Sequence, residues 1–108
     1  MARDLPRVRE VFPEPAAELI FLLEAEGEPE LAASVHDLRL VGECGCRDDF
    51  CQSIRTSDQP RGQPYGSGHR NVSLSPAEGM LILDVVDERI VYVEILFRPP
   101  MRRRVAPE

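Results

Sequence analysis

Ala16, Leu19, Ile20 and Leu23 fall at i, i+3, i+4 and i+7, with Glu18, Glu24 and Glu26 outside that stripe. This spacing lines the apolar side chains along one face of a helix and leaves the acids on the other. Pro15 suits the first helical position, where a missing N–H costs no hydrogen bond. Gly27 supplies a left-handed residue after the last turn. The pattern predicts a helix over 15–26 and a shorter one from Pro29 through about Val35, with Leu31 and Val35 one turn apart.

From Asp37 the pattern becomes that of strands. Leu38-Arg39-Leu40-Val41 reads as a short one. Residues 50–56 alternate, placing Phe50, Gln52, Ile54 and Thr56 on one face and Cys51, Ser53 and Arg55 on the other. Residues 57–70 hold Pro60, Gly62, Pro64, Gly66 and Gly68 and read as a long loop ending in Gly68-His69-Arg70-Asn71. A short strand follows at 72–74. Residues 80–86 and 89–97 are two apolar runs joined by Asp87-Glu88, the signature of a hairpin. A two-residue turn needs positive φ, which glutamate resists, so a longer loop is expected there. The runs are apolar at nearly every position, which puts the hairpin centrally, under the helices.

These elements predict an α+β fold: two N-terminal helices packed on an antiparallel sheet of about four or five strands with a central C-terminal hairpin. The expected layout is an irregular lead-in at 1–14, one domain at 15–98 and an arginine-rich tail at 99–108. A length of 108 residues gives room for one modest core. The chain has no tryptophan and only four phenylalanines and two tyrosines, so that core must be mostly Leu, Val and Ile.

The formal net charge of −6 argues against nonspecific nucleic-acid binding, which needs a basic face. All the basic residues are arginine, scattered along the chain as codon bias would scatter them, apart from Arg102-Arg103-Arg104, which reads as a solvated terminus. The start lacks the apolar region of a secretory signal, and no run approaches the ~18 apolar residues of a membrane span. A cytoplasmic protein is the expectation, and an odd cysteine count speaks against a disulfide framework.

The chemically pointed stretch is Glu43-Cys44-Gly45-Cys46-Arg47-Asp48-Asp49-Phe50-Cys51, which holds every cysteine of the chain. Thiolates suit zinc, and a structural zinc wants four donors. Cys44, Cys46 and Cys51 could provide three, with Gly45 allowing the backbone to turn. His69 is the best fourth donor, ahead of Asp48, Asp49, His36 or water. Against zinc, the spacing departs from the usual two residues between paired cysteines. Other readings are three unligated thiols, a redox-active thiol at Cys46 or Cys51, and a Cys–His hydrolase using His69 as base. His36 reads as a helix-end residue. Asp84 and Glu94 read as a solvated face unless one lies against Arg55 or His69. Gly66-Ser67-Gly68 lacks the lysine and the context of a phosphate loop.

The runs Leu38-Arg39-Leu40-Val41, Cys44-x-Cys46, Asp48-Asp49-Phe50-Cys51, Gly68-His69-Arg70-Asn71, Gly79-Met80-Leu81-Ile82-Leu83-Asp84-Val85-Val86 and Ile90-Val91-Tyr92-Val93-Glu94 resemble a group of small uncharacterised bacterial proteins with no assigned activity. The similarity covers most of 16–104. It implies a bacterial single-domain protein and supplies no catalytic residue. Similar chains commonly carry glycine in the hairpin turn, where this one has Glu88. The functional expectation is a small binding or interaction domain, its loops fixed by zinc and its apolar hairpin open to homodimer formation. The alternative is a thiol-dependent redox protein or cysteine enzyme.

Overall fold

The computed structural model describes residues 5–43, 51–57 and 66–101. Three helices come first: α1 (Val8–Val11), α2 (Pro13–Ala25) and α3 (Pro29–Ser34), the last running into a 3-10 turn at Val35–Asp37. Five strands follow: β1 (Gly42–Glu43), β2 (Ile54–Arg55), β3 (His69–Leu74), β4 (Met80–Val86) and β5 (Arg89–Leu96). They form one antiparallel sheet in the order β1-β2-β5-β4-β3. The α+β class holds, and β4 and β5 are the interior hairpin the apolar runs predict.

The α2 stripe is buried as its spacing requires, with Ala16, Leu19 and Leu23 in the core and Ile20 packed beside them. Both Pro13 and Pro15 fit within its first turn. At its far end Gly27 takes φ 77°. Glu28 N–H then donates to Leu23 O at 2.9 Å and Gly27 N–H to Glu24 O at 3.1 Å. This paired closure satisfies two carbonyls that the helix end would otherwise strand.

α1 lies in the stretch expected to be irregular. Its single turn is too short to show a period, yet two features fix it. Arg7 N–H donates to Glu10 Oε1 at 2.8 Å, and the apolar anchors Val8 and Phe12 are buried. The lead-in also captures the segment read as a strand at 38–41. Leu40 N–H donates to Pro6 O and Val8 N–H to Leu38 O, each at 2.8 Å, around one bridge between Arg7 and Arg39. Those residues pair with the lead-in instead of forming a sheet strand, and only Val41 reaches β2, at Arg55 O.

The hairpin turn corrects a second expectation. Val86 pairs with Arg89, so the turn is Asp87-Glu88 alone, and both residues take positive φ, 50° and 62°. Its twist is the one that suits a two-residue hairpin. The register shifts between Asp84 and Val85, so that Val91 is the extra residue of a bulge.

One sheet face packs on the helices through Ile54, Val72, Leu81, Leu83, Val93 and Ile95, all part of a single core with Leu19, Leu23 and Val35. By alternation, the second face carries Arg55, His69, Asn71, Asp84, Tyr92 and Glu94. β2 is shorter than the strand read at 50–56, though its faces are as expected, with Ile54 buried in the core and Cys51 bridged to Leu96. Ser53 causes the shortening: its Oγ accepts the Ile95 N–H at 2.9 Å, where a ladder would use a backbone carbonyl.

Candidate functional site

The cysteine cluster is only partly within the described residues. Cys44, Cys46, Asp48 and Asp49 lie outside them. Cys51 is half-buried, and its Sγ stands 3.5 Å from Ser53 Oγ. His69 is not on a loop; it opens β3 opposite Val86. Cys51 bridges to Leu96, Leu96 pairs with Met80, and Val86 is at the other end of β4. At about 3.3 Å per residue, Cys51 and His69 are separated by about 20 Å along the strands. Ligand bonds of about 2.0–2.3 Å cannot span that, so this arrangement takes His69 out of any zinc site containing Cys51. It equally separates Cys51 from His69 as nucleophile and base. His36 is exposed in the 3-10 turn. Among the described residues, no group of three or more His, Cys, Asp or Glu is placed to hold a metal.

His69 has another partner. Asp84 Oδ1 lies 2.8 Å from His69 Nε2 and accepts from Asn71 Nδ2 at 2.5 Å. One carboxylate oxygen thus joins the His69 ring to the Asn71 amide. Asp84 therefore lies against His69, and is not part of a merely solvated face.

One row across the second face runs Gly42, Arg55, Tyr92, Asp84, Asn71. The Arg55 guanidinium extends over Gly42, where a Cβ would stand 3.5 Å from Nη1. Its Nε is buried and has no hydrogen-bond partner among the described residues.

A concave feature lies on the other side of the sheet. A cleft of about 220 Å³ opens between α2 and residues 98–101. Its floor is core: Val8, Phe12, Leu19, Ile54, Leu81 and Ile95. Its rim carries Glu14, Glu18 and Arg98, with Met101 forming the far wall.

Two side chains build that wall. Gln52 shares the core-facing side of its segment with Ile54 but turns its amide to the chain after β5. Its Nε2 donates to Arg98 O at 3.1 Å and Pro99 O at 3.0 Å, and its Oε1 accepts from Met101 N–H at 2.7 Å. One amide thus holds three backbone groups of a segment whose prolines cannot donate to a ladder. Arg98 crosses the mouth, with Nη2 bonded to Glu18 Oε1 and Nη1 donating to Glu78 O at 2.9 Å. Gly79 allows this crossing. It takes φ 73°, and a Cβ there would come within 2.5 Å of Leu96 O and 2.6 Å of Phe97 O and would strike the Arg98 side chain.

None of Gln52, Glu18 or Arg98 stands out in the sequence. The available signal is a glutamine on the same strand face as Ile54, a polar residue where the pattern calls for an apolar one.

No family model, no curated protein and no solved structure matches this chain. Among the described residues, no helix is long and apolar enough to cross a membrane.

Proposed function

We propose that this chain is a small binding domain that accepts an apolar group in the cleft between α2 and residues 98–101. The observation carrying the reading is the cleft's construction: about 220 Å³ of space floored by core side chains and edged by charge. Well-packed interiors leave few voids larger than a water molecule, and ligand sites are characteristically apolar hollows with a few polar groups at the edge. The reading extends to a reducing cytoplasmic setting and a bacterial source, both resting on the sequence alone. The test is titration with 2-phenylethanol, a neutral aromatic, followed by methyl NMR. Saturable shifts at Leu19, Ile54, Leu81 and Ile95, abolished in Met101→Phe, support it. No shift at millimolar concentration sinks it.

A structural zinc on Cys44, Cys46 and Cys51 is a second proposal, independent of the cleft. Its support is the β1–β2 register, which sets Glu43, next to Cys44, opposite Ile54, three residues from Cys51. Thiolates are the donors that favour zinc, and the fourth would come from Asp48, Asp49 or water. Zinc would supply a cross-link between the two short strands. Metal analysis with a free-thiol count tests this: near-stoichiometric zinc lost in Cys46→Ser supports it. Three freely titrating thiols without metal exclude it, and a thiol pair lost reversibly to mild oxidant favours redox chemistry.

A further inference from the structure

We infer that the cleft selects a small hydrophobic amine, an apolar body carrying a positive head. This rests on the cleft being a ligand site and adds the charge and size of the ligand.

The charge argument comes from the balance of charged groups at the rim. The lining carries two carboxylates, Glu14 and Glu18, against one guanidinium, Arg98. Arg98 is only 15% exposed, and its two terminal nitrogens each make one hydrogen bond, to Glu18 Oε1 and Glu78 O. Each of those nitrogens keeps a second N–H, so the case against an anionic ligand is one of charge: Arg98 is already paired with Glu18, and the anion would stand beside Glu14 and Glu18. The carboxylates differ. Glu18 spends one oxygen on Arg98 and has no hydrogen bond on Oε2 among the described residues. Glu14 is exposed and makes none there either. An ammonium group brings three donors and no acceptor, which matches these oxygens without displacing any existing bond. Glu14 also stands in the first turn of α2, where a carboxylate is favoured by the helix dipole. That role alone would account for an acid at this position, so the test must read ligand charge and not helix stability.

The size argument is one of volume. A cavity of about 150 Å³ in a protein core accepts benzene, six carbons. By that ratio, 220 Å³ holds about nine non-hydrogen atoms. 2-Phenylethylamine has that size, 2-phenylethanol is its neutral match and phenylacetate its anionic one.

The experiment titrates all three at low ionic strength and follows the cleft methyls by NMR. An exposed charge pair contributes about 0.2–1 kcal/mol, so two carboxylates should favour the amine over the alcohol by about twofold to thirtyfold. Salt should erode that ratio, and Glu14→Gln should bring it towards one. Glu24→Gln, on the same helix but remote from the cleft, should leave it unchanged. Equal affinity for amine and alcohol, or tightest binding of phenylacetate, overturns the inference while leaving the cleft a ligand site. Failure of all three to move the cleft methyls removes the site itself.

Discussion

Arg70 and Glu88 are joined by two hydrogen bonds, Nη2 to Oε1 at 2.8 Å and Nε to Oε2 at 3.0 Å, that tie the edge strand β3 to the β4–β5 turn. The same guanidinium holds Glu28, just past α2, through two further bonds of 3.0 Å. Glu88 thus takes a left-handed conformation that glycine would adopt more easily, and in return supplies a carboxylate that glycine lacks.

Separate substitutions should resolve these opposed effects. Asp87→Gly relieves a left-handed residue and keeps the Arg70 link, so it should stabilise by about 0.5 kcal/mol after the entropy cost of glycine. Glu88→Ala loses the link and keeps a Cβ at positive φ, so it should melt lowest. Glu88→Gly should fall between Ala and the parent. Thermal melts of the three variants check this order.

Acid should weaken the same junction. The Arg70 hydrogen bonds hold the Glu28 and Glu88 carboxyls below their usual value of 4.5, and the Arg7 backbone N–H does the same for Glu10. A carboxyl whose pKa is lower folded than unfolded contributes stability that is complete above the unfolded value. It is lost as pH falls through the folded one. Urea midpoints should therefore be flat near neutrality and decline from about pH 5 downwards. The decline should be shallower in Arg70→Met, and an unchanged slope there would assign the acid sensitivity elsewhere.

Gly79→Ala should cost about 2–4 kcal/mol, combining a left-handed alanine with overlap against two carbonyl oxygens. The damage should be local in character. Amide NMR should show the largest changes at Arg98 and Met101, because the added methyl strikes the arginine that spans the cleft. Intact cleft signals with lowered stability would mean that Arg98 is held without Gly79.

Ser53 is 1% exposed and accepts the Ile95 N–H, so Ser53→Ala strands a buried donor. The expected loss is about 1–3 kcal/mol, by chemical denaturation. Ser53→Thr keeps the hydroxyl and should recover part of it.

What the sequence discloses here is what repeats. The α2 stripe shows because Ala16, Leu19 and Leu23 recur at the helical period, and the central hairpin because its runs are apolar throughout. The alternation of Ile54 against Cys51 and Arg55 gives both faces of β2. By contrast, α1 is one turn long and leaves no period to read. The two-residue turn is unexpected from Asp87-Glu88 alone because its compensation, Arg70, lies on another strand. His69 reads as a loop residue beside five glycines and prolines, and only the β3–β4 register brings it to Asp84. The cleft is the least legible feature, since Gln52 and Arg98 act on backbone groups far along the chain.

The strand order also bears on synthesis. β5 is the last of the described strands to be made, yet it separates β2 from β4 in the finished sheet. At about 5–20 residues per second, roughly 2–7 s pass between the emergence of Arg55 and that of Arg89. During that interval β1 and β2 can pair only with each other, and Leu19, Leu23 and Ile54 have at most the separate β3–β4 pair to close against. The nascent chain therefore carries its helices as unfinished apolar surfaces. A ribosome stalled at the β4–β5 turn would leave a substrate for chaperones and proteases rather than a smaller version of the domain.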